Sequence, residues 1–126
     1  SVILLKKRAQ DETERHASDL HSILDSQNAW IYVIDPKTCR LKFLNAKTKE
    51  LAPSVKIGDH CYEGLMGLKE RCPDCPAKNI LQEKTAEQIL FNRKFHLHVM
   101  AEATLIQWGN ETSCMLNCHK IKPEVL

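Results

Sequence analysis

The chain has 126 residues, 43% hydrophobic and 27% charged, with 18 Lys and Arg against 16 Asp and Glu for a formal net charge of +2. This is the length of one domain with enough apolar material for a single ordinary core, and the near balance of charge leaves no broad field for nucleic acid or an anionic membrane. No apolar run approaches the roughly 18 to 20 residues of a membrane span, and the start lacks a small-residue cleavage site after an apolar core. A soluble, cytoplasmic fragment is therefore expected, with no nucleic-acid partner and no direct membrane contact.

Residues 2–26 read as helix, because Gly and Pro are absent and Leu5, Ala9, Ala17, Leu20, Ile23 and Leu24 fall near one stripe. Glu12 and His16 interrupt that stripe, giving the character of a short coiled-coil segment, so homodimer contact or packing on a sheet is its expected use. Trp30 to Asp35 is apolar on both faces, which predicts a strand covered from two sides. Pro36, Lys37 and Thr38 then turn the chain into an antiparallel partner, Arg40 to Leu44. Asn45 is placed to cap a short helix through Leu51 that Pro53 ends. A second helical piece is expected around Tyr62 to Met66, and a third from Pro76 to about Glu83 with Cys75 or Asp74 as its cap.

The last third predicts strands at Glu87 to Phe91 and Phe95 to Val99, joined across Asn92, Arg93 and Lys94. Gly109 and Asn110 supply the positive-φ residues of a two-residue hairpin. Setting Trp108 opposite Glu111 places Leu105 against Cys114, Ala103 against Leu116, Ala101 against Cys118 and Met100 against His119. Parity then puts Phe95, Leu97, Val99, Ala101, Ala103, Leu105, Cys114, Leu116 and Cys118 on the core face. His96, His98, Met100, Glu102, Asn117 and His119 take the other.

This element order predicts an α+β domain with an antiparallel sheet and helices on one side. With Trp30 to Asp35, Leu44 and Asn45, then Gly58, Cys61, Tyr62, Glu63, Gly67, the CPDCP of residues 72–76 and finally Trp108, Gly109 and Asn110 in that order, the chain resembles PAS domains, the small sensory fold of bacterial signalling proteins. The resemblance spans about residues 21 to 121. It implies a five-stranded antiparallel sheet of order 2-1-5-4-3 with short helices on one face and a small cavity. It also implies an N-terminal amphipathic helix over 1–27, a sensory domain over 28–121, and the start of a linker to a downstream effector at 122–126. The subgroup it is similar to is typical of proteins with a diguanylate cyclase (GGDEF) effector, often with a phosphodiesterase (EAL) domain, and of sensor histidine kinases. A sensory fragment without its own activity, in a parent that is a diguanylate cyclase or a histidine kinase, is what the resemblance implies. One departure is the junction: PAS domains commonly finish on an Asp-Ile-Thr-like sequence, and here His119, Lys120, Ile121 and Lys122 stand instead.

Six cysteines in a chain with a good apolar core and few loop residues fit a reducing compartment better than a disulfide scaffold. Cys61, Cys72 and Cys75 offer three thiolates around a CxxC core, to which His60 would be a fourth ligand for zinc or an iron–sulfur cluster. A redox role is the competing reading, and a loop stiffened by proline and filled by small sulfur side chains is the plain one. His96 and His98 are two apart on a predicted strand with His119 across the sheet, which suits a transition metal or haem iron. Coverage by the N-terminal helix is the ordinary alternative.

Small residues at the sheet centre leave room for a ligand pocket lined by Phe43, Leu65, Ile80, Leu97, Ala101, Ala103, Leu105, Cys114 and Leu116, unless Leu65, Met66, Ile80 and Leu81 fill it. No Gly-rich phosphate loop, GxSxG or HExxH occurs, and nothing resembles the Asn-Cys-Arg helix motif of flavin-binding PAS domains. The residues name no cofactor: none is expected in the purified fragment, with zinc or a small-molecule ligand left open.

Overall fold

The computed structural model describes residues 28–73 and 75–121. The helix expected over 2–26, Asp74 and the linker from residue 122 lie outside the described residues. Within them the chain runs β1 (Trp30–Ile34), β2 (Leu41–Leu44), α1 (Ala46–Leu51), α2 (Cys61–Gly64), α3 (Ile80–Glu83), β3 (Thr85–Asn92), β4 (Leu97–Trp108) and β5 (Glu111–Lys120). The strands form one five-stranded antiparallel sheet of order β2-β1-β5-β4-β3.

The β4–β5 hairpin sets the sheet. Trp108 faces Glu111, and behind it Leu105 meets Cys114, Ala103 meets Leu116, Ala101 meets Cys118 and Met100 meets His119. This is the register the two-residue loop predicts, since parity fixes every later pair. The turn itself differs from expectation: Gly109 has φ 65, but Asn110 stays on the negative side. That is the type II′ pattern, in which only the first central residue needs the left-handed region.

The inner face of the sheet carries Val99, Ala101, Ala103, Cys114, Leu116 and Cys118, all buried. Leu65, Ala77 and Ile80 from the helical side join Ala101, Ala103, Cys114 and Leu116 in one cluster. Burial of this apolar area, at about 25 cal/mol per Å², is the main force holding helices to sheet. On the opposite face of β1, Ile31 and Val33 are 1% and 0% exposed, as a strand apolar on both sides requires.

Asn45 ties the helical side to β1. Its Oδ1 accepts from Thr48 N at 3.0 Å, capping α1, and also from Ile31 N at 3.1 Å and Thr48 Oγ1 at 2.6 Å. Its Nδ2 donates to Ala29 O at 2.8 Å. A cap expected to serve one helix thus also serves a strand.

Several boundaries move, and two have a local cause. α3 begins at Ile80 behind Asn79, because residues 75–80 make i to i+3 turns, Lys78 N to Cys75 O at 3.1 Å and Ile80 N to Ala77 O at 3.3 Å. Phe95 and His96 belong to the β3–β4 turn. Asn92 pairs with Leu97, and Asn92 Oδ1 collects Lys94 N at 3.0 Å and Phe95 N at 3.1 Å. His96 takes φ 54, so it does not share a strand face with His98.

Candidate functional site

Two features lie between sheet and helices: a small gap and a group of thiols. The gap measures about 30 Å³ and is lined by Trp30, Tyr32, Thr48, Leu65, Leu90, Phe95, Leu97, Val99 and Cys118, among others. Asn92 stands at its wall, 8% exposed, and donates from Nδ2 to Leu65 O at 2.9 Å, tying the end of β3 to the turn after α2. A space of this size holds about one water. Any larger ligand must move side chains.

Of the residues expected to line a pocket, Leu65 and Leu97 border this gap. Ile80, Ala101, Ala103, Cys114 and Leu116 are packed solid at 2% exposure or less, and Leu105 lies against the same cluster. The helical side chains fill the centre, as close packing favours. Phe43 is a correction. A register shift between Val33 and Ile34 pairs Val33 with Phe43 and Ile34 with Leu41. The extra residue of this bulge turns both Leu41 and Leu44 to the core and sends Phe43 to the other face, where its ring lies 5.2 Å from that of Trp108.

The thiols come from three segments. Asp35 opens a turn in which its Oδ1 accepts from Lys37 N at 2.8 Å and Thr38 N at 3.2 Å, and its carbonyl accepts from Cys39 N at 2.8 Å. Those donors hold the Asp35 carboxyl below its usual range. Asp35→Ala should lower stability by about 1 kcal/mol through loss of this Asx turn, read as a shift in the urea midpoint at unchanged slope.

After the turn, Arg40 bridges His60 in antiparallel fashion, with Leu41 N to Asp59 O at 2.8 Å and Cys61 N to Cys39 O at 2.9 Å. This short ladder sets Cys39 directly opposite Cys61. Cys39 is 2% exposed and Cys61 7%, and both belong to one buried cluster. The facing Cys61 side chain, with Arg71 and His60 nearby, draws the Cys39 thiol below its ordinary range against its burial. Interaction with Cys39 and burial push Cys61 up.

Arg71 enters from the loop before the CPDCP segment. It donates from Nη2 to Ala77 O at 2.9 Å, while its buried Nε has no hydrogen-bond partner. Cys72 is pushed up to about 11 by burial. Burial likewise raises Cys114 and Cys118 to about 12 each, and Cys118 Sγ lies 4.0 Å from Tyr32 Oη.

Cys61 shares a buried cluster with Cys39, against which Cys75 packs, but the residue facing it is Cys39, which the sequence did not single out. The only signal for it was its place after an Asp-Pro-Lys-Thr turn. Among the described residues, no three His, Cys, Asp or Glu side chains are placed to hold a metal ion. All six cysteines are free. A partly buried Arg71 in the thiol group adds a positive charge that opposes a cation there. Among the described residues His98 and His119 are exposed, and His98 packs its ring 4.8 Å from Phe91.

No protein-family model matches the sequence, and no curated protein does. Solved structures do. The PAS domain of nitrogen regulation protein NR(II) from Vibrio parahaemolyticus aligns with 80% of this chain and 96% of its own, at TM-score 0.64 and 12% identity. The PAS domain of an HTR-like protein from Haloarcula marismortui aligns with 91% of this chain and 99% of its own, at TM-score 0.59 and 13% identity. The photoactive yellow protein domain of the sensor histidine kinase Ppr from Rhodospirillum centenum aligns with 79% of this chain and 92% of its own, at TM-score 0.57 and 11% identity. At these identities the likeness speaks for architecture, and together with the strand order it establishes that the described chain has the PAS fold.

Proposed function

We propose that this chain is the sensory domain of a bacterial signalling protein and controls an effector that follows it, a diguanylate cyclase of the GGDEF type. The observation that supports this most is the five-stranded sheet of order 2-1-5-4-3, shared across most of the chain with PAS domains that include one from a sensor histidine kinase. The cyclase assignment draws on the run from Leu44 and Asn45 through Cys61, Tyr62 and Glu63 to the CPDCP segment. In this reading residues 1–27 hold two copies together, residues 28–121 receive the signal and residues from 122 lead to the effector. The fragment itself performs no chemistry on a substrate and works in the cytoplasm. Among the described residues, no helix is long and apolar enough to cross a membrane.

The signal acts on the interior. A ligand entering beside Leu65 and Leu97, or a change at Cys61, Cys72 and Cys75, biases two packings of the helices on the sheet, and only a signal with unequal affinity for the two can do so. Native mass spectrometry of the chain as purified from its cells, with metal analysis, reads such a ligand as mass beyond the polypeptide. The effector is read in the intact protein. Conversion of GTP to cyclic di-GMP is the expected result, and ATP-dependent phosphohistidine would replace the cyclase by a histidine kinase. An intact protein with neither activity would overturn the proposal.

A further inference from the structure

We infer that Cys39 and Cys61 form a redox pair that closes to a disulfide, distinct from the CxxC pair Cys72 and Cys75. As a signal input the pair rests on the sensory reading above; as chemistry it stands alone.

Three observations carry it. The first is register. The Arg40–His60 bridge puts the two cysteines on facing positions of an antiparallel ladder, with Cys61 N bonded to Cys39 O at 2.9 Å. Facing, bonded positions have Cα atoms about 5.5 Å apart, inside the range of about 4.4–6.8 Å that a disulfide spans. The second is backbone. Cys39 sits at φ 63, one of three non-glycine residues in the left-handed region among those described. That conformation ends the Asp35 turn and starts the ladder that faces Cys61.

The third is charge. The guanidinium of Arg71 lies near Cys39, and its Nε is buried with no hydrogen-bond partner. That positive charge favours a thiolate at Cys39, which faces Cys61 across the ladder. Cys72 has burial against its thiolate.

The oxidant is hydrogen peroxide. The Cys39 thiolate attacks one peroxide oxygen, the O–O bond breaks, and the departing hydroxide takes a proton to become water, leaving Cys39 as the sulfenic acid. The Cys61 sulfur then attacks the Cys39 sulfur. The S–S bond forms, the S–O bond breaks, and hydroxide leaves with the Cys61 proton as a second water. Two thiols are oxidised and one peroxide is reduced to two waters. Peroxide is little larger than water and reaches Cys39 through opening of its turn, where Lys37, Thr38 and Arg40 are exposed. An external dithiol reverses the reaction.

The test is a peptide map of the whole 126-residue chain, treated with stoichiometric hydrogen peroxide, blocked with an alkylating agent and digested without reductant. The expected product is a cross-linked peptide joining Cys39 to Cys61, gone after dithiothreitol and still formed in the double variant C72S/C75S. Cross-linking of Cys72 to Cys75 in its place, or a peroxide-treated chain with Cys39 and Cys61 both still alkylated, would overturn the pair. So would bound zinc that protects them. Because the decisive map uses the unsubstituted chain, a misfolded variant does not obscure it. A missing cross-link leaves the sensory reading standing, and a silent effector leaves the cross-link standing.

Discussion

Asn45→Ala should destabilise the domain by about 2–4 kcal/mol, the sum of a lost helix cap of about 1 kcal/mol and buried groups left without partners at about 1–3 kcal/mol. Asn45 is 0% exposed, so water cannot replace it. Its removal strands the N–H of Ile31, the carbonyl of Ala29 and the amide and hydroxyl hydrogen bonds of Thr48 at once. The Thr48 hydroxyl keeps Ile31 O at 3.2 Å as an alternative, which holds the loss below a simple sum. Asn45→Asp keeps the acceptor but loses the donor to Ala29 and buries a charge, so it should be destabilising as well. Urea unfolding followed by circular dichroism measures both. A loss under 1 kcal/mol for the alanine variant would mean that the buried hub is not the bond between α1 and β1.

Ile80→Ala should cost about 3 kcal/mol, within the range of about 2–5 kcal/mol for large-to-small core changes. Ile80 is 0% exposed on the four-residue helix α3, which packs on β3 and β4. Ala77, Ala101 and Ala103 of the same cluster are small, so few long side chains can swing into the vacated volume and the cavity stays open. For a domain of this size, about 3 kcal/mol corresponds to a fall in Tm of roughly 12 °C or more. Ile80→Val removes one methylene and should cost about 1 kcal/mol. Equal losses for the two variants would argue that the site collapses and that the centre of the sheet is loosely filled.

The sequence carried the sheet further than the site. One two-residue loop at Gly109 and Asn110 determines the parity of β4 and β5, and the alternation of apolar residues along those strands admits only one inward face. Asn45 as a cap was equally plain, because cap chemistry is local. What failed was geometry that no local pattern encodes. The bulge opposite Val33 and Ile34 displaced Phe43 from the expected pocket, and a bulge has no signature in a four-residue strand. His96 was read as strand because apolar alternation runs back to Phe95, whereas Asn92 Oδ1 gathers two amides into a wider turn. Cys39 went unnoticed since its pairing with Cys61 rests on a single bridge between segments without periodicity. The thiols that do recur at short spacing, Cys72 and Cys75, drew attention instead.

The measurement that bears most directly on the sensory role is effector output in the intact protein carrying Ala103→Val. Ala103 is 1% exposed at the centre of the inner face, opposite Leu116, and an added pair of methyl groups there presses on the helices at a cost of about 1–3 kcal/mol, which a folded domain tolerates. If the interior drives the effector, output should change severalfold while circular dichroism shows the fold retained. An unchanged output from a folded variant with a demonstrably altered core would contradict the account.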